Sequence, residues 1–360
     1  MSGSRRGASA ARGPVVWVLA AGLLALAGIV GIVRVLARQA GRGEVARALA
    51  RPDRLAEMRR VDPRLLRYRE TARFGAGVRK PRGLAVSPDG LLLVAGDRLI
   101  SRLKQNGGLL DPIRLESEPG CLAAAKDGTL YAGMRDHVEV YGPDGARRAQ
   151  WRRAGERSYL TSIAVAPDAV WVADAGERVV LRYDRAGKLL GRIGKRDDAR
   201  GIPGLLAPSP HLDVAVPPSL PPPAGGAGGR DGLVWVSNPG RHRLEAYAPD
   251  GELKRSWGKP SEGIEGFVGC CNPTDFALLP DGRFVTSEKG VPRVKLYGAG
   301  GALESVVAPP DVFAASAAGL DLAVDARGRI LVLDPVARAV RVFEETGDGR
   351  RKTGRAVPGG

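Results

Sequence analysis

The feature that most constrains this chain is a repeat. A short apolar run, a Pro-Asp-Gly-like turn, a second apolar run, a small polar loop and a third run ending in an aromatic residue recur six times. The clearest copies are PRGLAVSPDGLLLVAGDRLISRL (81–103), PTDFALLPDGRFVTSEKGVPRVKLY (273–297) and LDLAVDARGRILVLDPVARAVRVF (320–343), and weaker ones begin near Cys121, Ser162 and Asp213. Aligned starts at Gly83, Cys121, Ser162, Asp213, Asp275 and Asp321 lie 38, 41, 51, 62 and 46 residues apart. A period in the forties with three or four strands per unit predicts an all-β, six-bladed β-propeller. Each blade should be a four-stranded antiparallel sheet. Tyr141, Tyr183, Tyr247, Tyr297 and Phe343 close the third strands, where they should fill the layers between blades.

The propeller is expected over residues 63–345. The stretch from Leu66 to Phe74 is strand-like and precedes the first complete copy, whereas residues 346–360 are polar, basic and Gly-rich and are expected to be a disordered tail. The N-terminal strand should therefore complete the sixth blade, covering an edge that would otherwise invite pairing. PPSLPPPAGGAGGR (217–230) replaces a tight turn and reads as a flexible insertion.

Ahead of the repeats, PVVWVLAAGLLALAGIVGIV (14–33) has no charge over 20 residues, enough to cross a bilayer as a helix. Residues 1–13 are a basic tail, 14–36 a transmembrane signal anchor and 37–62 a juxtamembrane helical linker broken at Gly41 and Pro52. Ala25-Leu26-Ala27 could serve as a cleavage site, but the apolar run continues past it, which favours an uncleaved anchor. Arginines after the segment outnumber those before it, which by the positive-inside rule keeps the propeller in the cytoplasm. A short basic tail before a signal anchor favours export, and an extracytoplasmic propeller is the expectation. Of the net charge of +16, the first 62 residues hold +7 and the last fifteen +3. Basicity concentrated beside an apolar segment points to anionic lipid headgroups rather than to nucleic acid.

The small-apolar inner strand with its Asp-Gly turn, the Val-Ala-Asp-like end of the second strand in VWVADAGERVVLRY (170–183) and the Arg before the third strand resemble the NHL-repeat family of six-bladed propellers. The resemblance covers about residues 63–345. It implies the fold and leaves function open, because lyases, lactonases and pure interaction modules share that architecture. Lyases and lactonases of the wider superfamily hold a divalent metal in the central channel with His, Asp, Asn or Glu. Here only His137, His211 and His242 exist, and no catalytic set of such an enzyme maps onto the chain.

In a propeller the loops entering the first strand and those joining the second to the third share one face. Alignment assembles two rings there. The entrance ring is Gly83, Cys121, Ser162, Asp213, Asp275 and Asp321; the second ring is Gly96, Met134, Asp174, Asn238, Glu288 and Asp334. Each acid or amide of the second ring precedes an arginine by four or five residues (Arg178, Arg243, Arg293, Arg338), which intrablade ion pairs or loop-capping hydrogen bonds would explain. The entrance-ring trio has no such partner. Three carboxylates converging on a channel repel and raise at least one pKa unless a cation intervenes, so Asp213, Asp275 and Asp321 are candidate ligands for a divalent cation such as calcium. The alternative is that they cap inner-strand N–H groups. His211, Asn272, Glu288 and Lys289 complete the candidate pocket. Cys270 and Cys271, adjacent in GFVGCCNPTD (266–275), are a candidate vicinal disulfide or redox pair at its mouth, with inert thiols as the alternative. The function these expectations support best is a membrane-tethered module that binds a protein or small ligand at its pocketed face. A metal-dependent lyase or hydrolase using His211 as base, or a redox-associated protein, are the alternatives.

Overall fold

The computed structural model describes residues 52–217 and 232–347. Within them the chain is a ring of six four-stranded antiparallel sheets. The inner strands are Pro81–Val86, Cys121–Ala124, Leu160–Val165, Val214–Ala215, Asp275–Leu278 and Asp321–Val324, numbered here as blades 1 to 6. The second strand of each blade is buried along its whole length and mostly apolar, as in Leu92–Gly96, Val170–Asp174 and Ile330–Asp334. It lies between two neighbouring strands of its own blade and between two neighbouring blades, so both its faces are core. The first two strands join at tight turns. Gly90 and Gly282 adopt φ of +84° and +85° there, which an L side chain rarely tolerates.

An apolar cluster fills each seam between blades. Between blades 2 and 3, for example, Tyr131, Trp151 and Tyr183 stack with ring centroids 5.7 and 4.9 Å apart. The five aromatics at the ends of the third strands, Tyr141, Tyr183, Tyr247, Tyr297 and Phe343, are all buried in such seams. Each is worth about 1.5–3 kcal/mol of transfer free energy. They are core, and none offers a stacking platform.

The ring closes through the N-terminal strand Tyr68–Gly75, which pairs antiparallel with Ala339–Glu345 as the outer strand of blade 6. Its solvent and seam sides alternate strictly, the pattern of an outer strand wetted on one face. Before it, the helix Pro52–Arg59 and a single 3-10 turn (Pro63–Leu65) lead the chain in. Met58 is buried, and its carbonyl accepts a hydrogen bond from Arg293 Nη1 at 3.3 Å.

The apolar segment 14–33, the insertion expected at 217–230 (apart from Pro217) and the tail from residue 348 onward lie outside the described residues. Among the described residues no helix is long and apolar enough to cross a membrane.

Candidate functional site

The inner strand of every blade faces the axis with no strand beyond it. Its outward N–H groups need partners from elsewhere, and the entrance ring supplies them. Asp213 Oδ1 accepts its neighbour Val214 N–H at 2.8 Å, and Oδ2 accepts Phe276 N–H of the next blade at 2.7 Å. Asp321 repeats this across the closing seam: Oδ1 accepts Leu322 N–H at 2.8 Å and Oδ2 accepts Leu84 N–H of blade 1 at 2.6 Å. Ser162 Oγ accepts Val214 N–H at 3.3 Å. At Gly83 the position needs no side chain, because a Cβ there would fall 3.0 Å from Leu122 N. Ser162, Asp213 and Asp321 are therefore joints, the side chain of one blade capping an inner-strand N–H of the next.

Asp275 breaks the series. Leu322 N–H, which it would cap, is already held by Asp321, and Asp275 is left with hydroxyl contacts from Thr274 and from Ser287 Oγ, the latter at 3.4 Å. Burial pushes the Asp213 carboxyl up to about 6. Burial and then the charge of Asp213 push Asp321 up to about 7. Asp275 is raised well above the ordinary carboxylate range by burial and by both of the other acids. The repulsion expected from sequence appears as these upward shifts, which favour proton uptake at the waist. A divalent cation does not fit: four N–H groups aim their positive ends at the oxygens a metal would use. Among the described residues no group of three or more His, Cys, Asp and Glu side chains is arranged to hold a metal ion.

The second ring is structural. Asp174 Oδ1 accepts the N–H groups of Tyr159, Gly176 and Glu177. Asn238 Oδ1 accepts Leu206 N–H, and Asp334 Oδ1 accepts those of Val336 and Ala337. Only Glu288 pairs with the arginine that follows it. Its carboxylate meets Arg293 Nε at 3.1 Å and Lys295 Nζ at 2.5 Å, with all three side chains almost entirely buried. Lys295 also donates to the carbonyls of Ile264 and Gly266 and lies over the rings of Phe267 and Tyr297. Glu288 is therefore a core counter-ion, not the pocket residue expected from alignment. The signal was in the spacing, because Lys295 sits two residues past Arg293 and so on the same pleat face. Asn272 is likewise a fastener: it is buried, donates to Val268 O and Lys289 O, and accepts Lys289 N–H.

What remains at the mouth is a cavity of about 200 Å³ lined by Arg82, Tyr159, Thr161, Pro210, His211 and Asp275, among others. A second cavity, of about 300 Å³, lies on the other side of the waist and is lined by Asp213 and Asp321 with alanines, valines and leucines. His211, half-buried, has its pKa lowered to about 4 by burial and by the nearby Lys289 cation, so at neutral pH it is an uncharged imidazole. Lys289 Nζ donates to Ser209 Oγ at 2.7 Å. Arg82 is exposed and, among the described residues, makes only a long contact, 3.9 Å, with Glu118. Of the expected pocket residues, the structure brings His211 and Asp275 together in this lining, with Lys289 beside His211. Sequence reading missed Arg82, Tyr159 and Thr161. The signal was available: Arg82 and Thr161 each stand one residue before a ring position, where the pleat turns the side chain from the waist to the mouth.

Cys270 and Cys271 are two thiols with sulfurs 3.1 Å apart, the first exposed and the second buried. They are not joined as a disulfide. Cys121 is buried on the waist, where burial and the charges of Asp321 and Asp213 push its thiol up.

These features define a six-bladed β-propeller with a polar mouth over a waist that carries three acids. A streptogramin B lyase shares the architecture at a TM-score of 0.53 and 11% identity, over 79% of this chain and 100% of that one. A catalytically inactive His-to-Ala variant of virginiamycin B lyase from Staphylococcus aureus, solved with quinupristin, does so at 0.53 and 12%, over 78% and 100%. A protein of unknown function from Bacteroides thetaiotaomicron gives 0.54 and 15%, over 77% and 71%. Identities this low establish a common fold and no more. No protein-family model and no curated protein matches the sequence.

Proposed function

We propose that this chain is an NHL-type propeller module, tethered to a membrane by its apolar segment 14–33 and facing the extracytoplasmic side, that binds a small anionic ligand at the mouth. One observation carries the reading of the mouth. The Asp213 and Asp321 carboxyls are committed to backbone N–H groups, while the exposed Arg82 lines the mouth and, among the described residues, meets an acid only at 3.9 Å. An anion such as a carboxylate would meet the Arg82 guanidinium, which suits two-pronged contact with a carboxylate. The ring of Tyr159 and the prolines would supply apolar walls, and Asp275, which burial and the neighbouring acids make harder to ionise, lines the same cavity. The neutral His211 adds an acceptor or donor without adding charge. The cavity volume of about 200 Å³ limits the bound portion to a few heavy atoms, so a larger partner would insert one acidic group.

The lyase alternative draws support from the fold shared with the two lyases. Against it stands the residue inventory: of three histidines only His211 lines the mouth, and the acids do not form a metal cradle. The discriminating experiment is thermal melting of the full-length protein against a panel of small organic carboxylates, amines and divalent cations including calcium. Carboxylates should stabilise it, and Arg82→Ala should abolish the rise without lowering the ligand-free melting temperature. Stabilisation by calcium or amines instead, or a rise that survives Arg82→Ala, rejects the anionic reading.

A further inference from the structure

The loop 266–275 carries a pair of thiols that the binding site does not use. Asn272 clamps this loop to Val268 and Lys289, and His242 Nε2 holds Gly269 O at 2.6 Å. Cys270 and Cys271 are thus held by a fixed backbone on both sides, with sulfurs 3.1 Å apart. A disulfide needs about 2.05 Å, so closure asks each sulfur to move by roughly half an ångström. The two thiols also differ in access. Cys270 is exposed, while Cys271 is buried against Ser209 near the Lys289 ammonium. That is the arrangement of an attacking thiol and a resolving thiol.

We propose that Cys270 and Cys271 form a reversible thiol–disulfide exchange site whose co-substrate is a low-molecular-weight disulfide of the glutathione class. Cys270 loses its proton to solvent and its thiolate attacks one sulfur of the small disulfide, releasing one thiolate and leaving a mixed disulfide on residue 270. Cys271 then loses its proton, attacks Sγ of Cys270 and expels the second small thiolate. The protein dithiol is oxidised by two electrons, the small disulfide is reduced to two thiols, and the two protons released by the protein end on those thiols. Burial and the hydrogen bond with Cys270 disfavour the Cys271 thiolate, and the nearby Ser209 and Lys289 favour it. Once residue 270 carries a mixed disulfide its hydrogen bond is gone, which helps Cys271 ionise at the step that needs it. Oxidation withdraws the Cys271 thiol from Ser209, the same hydroxyl that holds Lys289 beside His211. The redox state would thereby reset the charge at the rim of the mouth. That consequence rests on the binding reading; the exchange chemistry does not.

The test is equilibration of the full-length protein in buffers of reduced and oxidised glutathione, followed by acid quenching, alkylation and peptide mass mapping. Wild-type protein should lose two hydrogens within the peptide holding residues 270 and 271 and carry no glutathione, and dithiothreitol should restore it. Cys271→Ser should accumulate a stable glutathione adduct at residue 270, and Cys270→Ser should gain neither adduct nor bridge. Wild-type protein whose residues 270 and 271 both alkylate fully in oxidised glutathione, or which ends as the adduct, overturns the proposal. If the bridge forms but ligand affinity at the mouth is the same in both states, the exchange stands and only its coupling to the mouth fails.

Discussion

Replacing Asp213 by Asn tests the proton-sharing waist directly, because its charge raises both Asp275 and Asp321. The Asp213 side chain is 7% exposed, and its pKa is pushed from 3.8 to about 6. The folded protein therefore holds a proton there that the unfolded chain releases. Stability from this group is fully present below pH 3.8 and falls as pH rises through about 6; Asp321 extends the window to about 7. Above that window the ionised Asp213 costs on the order of 3 kcal/mol relative to an unperturbed carboxyl. Asparagine removes that cost but keeps only one acceptor oxygen, so either Phe276 N–H loses its partner or Val214 N–H is left to Ser162 Oγ alone. An orphaned buried donor costs about 1–3 kcal/mol. The balance at pH 8.5 is a gain of about 1 kcal/mol, more once Asp275 and Asp321 lose a charged neighbour. At pH 5 the native carboxyl is already protonated and resembles the amide, so the change should be close to zero. With roughly 2–4 °C per kcal/mol for a domain of this size, thermal melts followed by circular dichroism should show wild-type stability declining from pH 5 to pH 8.5. Asp213→Asn should melt a few degrees higher than wild type at pH 8.5 only. Equal effects at both pH values, or destabilisation that grows with pH, would refute the proton-sharing argument and return these acids to an ionised, cation-seeking role.

Two further expectations concern the rest of the chain. A chain beginning at Gly75 lacks the strand that pairs with Ala339–Glu345 and exposes that edge; it should melt about 10 °C or more below one beginning at Val61, and equal melting temperatures would show that the ring closes without it. Protease added to cells whose outer envelope alone is opened should digest the propeller if residues 14–33 export it, whereas digestion only after lysis would place it in the cytoplasm.

The sequence by itself determined the architecture, because the physics that fixes a propeller is local and repeated. Alternating apolar positions and a turn glycine at positive φ recur in every blade, and an aromatic ends the third strand in five of the six. Repetition allowed alignment to place Asp213, Asp275 and Asp321 on one ring without knowledge of the blade angle. The strand from Tyr68 was legible from its own pattern and from the polarity of the opposite terminus. What the sequence could not decide was how those side chains are used. Asp213 and Asp321 cap N–H groups 63 residues further on and 237 residues back, pairings set by the curvature of the ring. Glu288 looked like a pocket acid until Lys295 and Arg293 were seen to enclose it. Arg82 looked like an ordinary surface arginine until the pleat turned it over the mouth. Carboxylates titrate according to burial and to neighbours brought in from other blades, so the charge of the waist belongs to the tertiary structure alone.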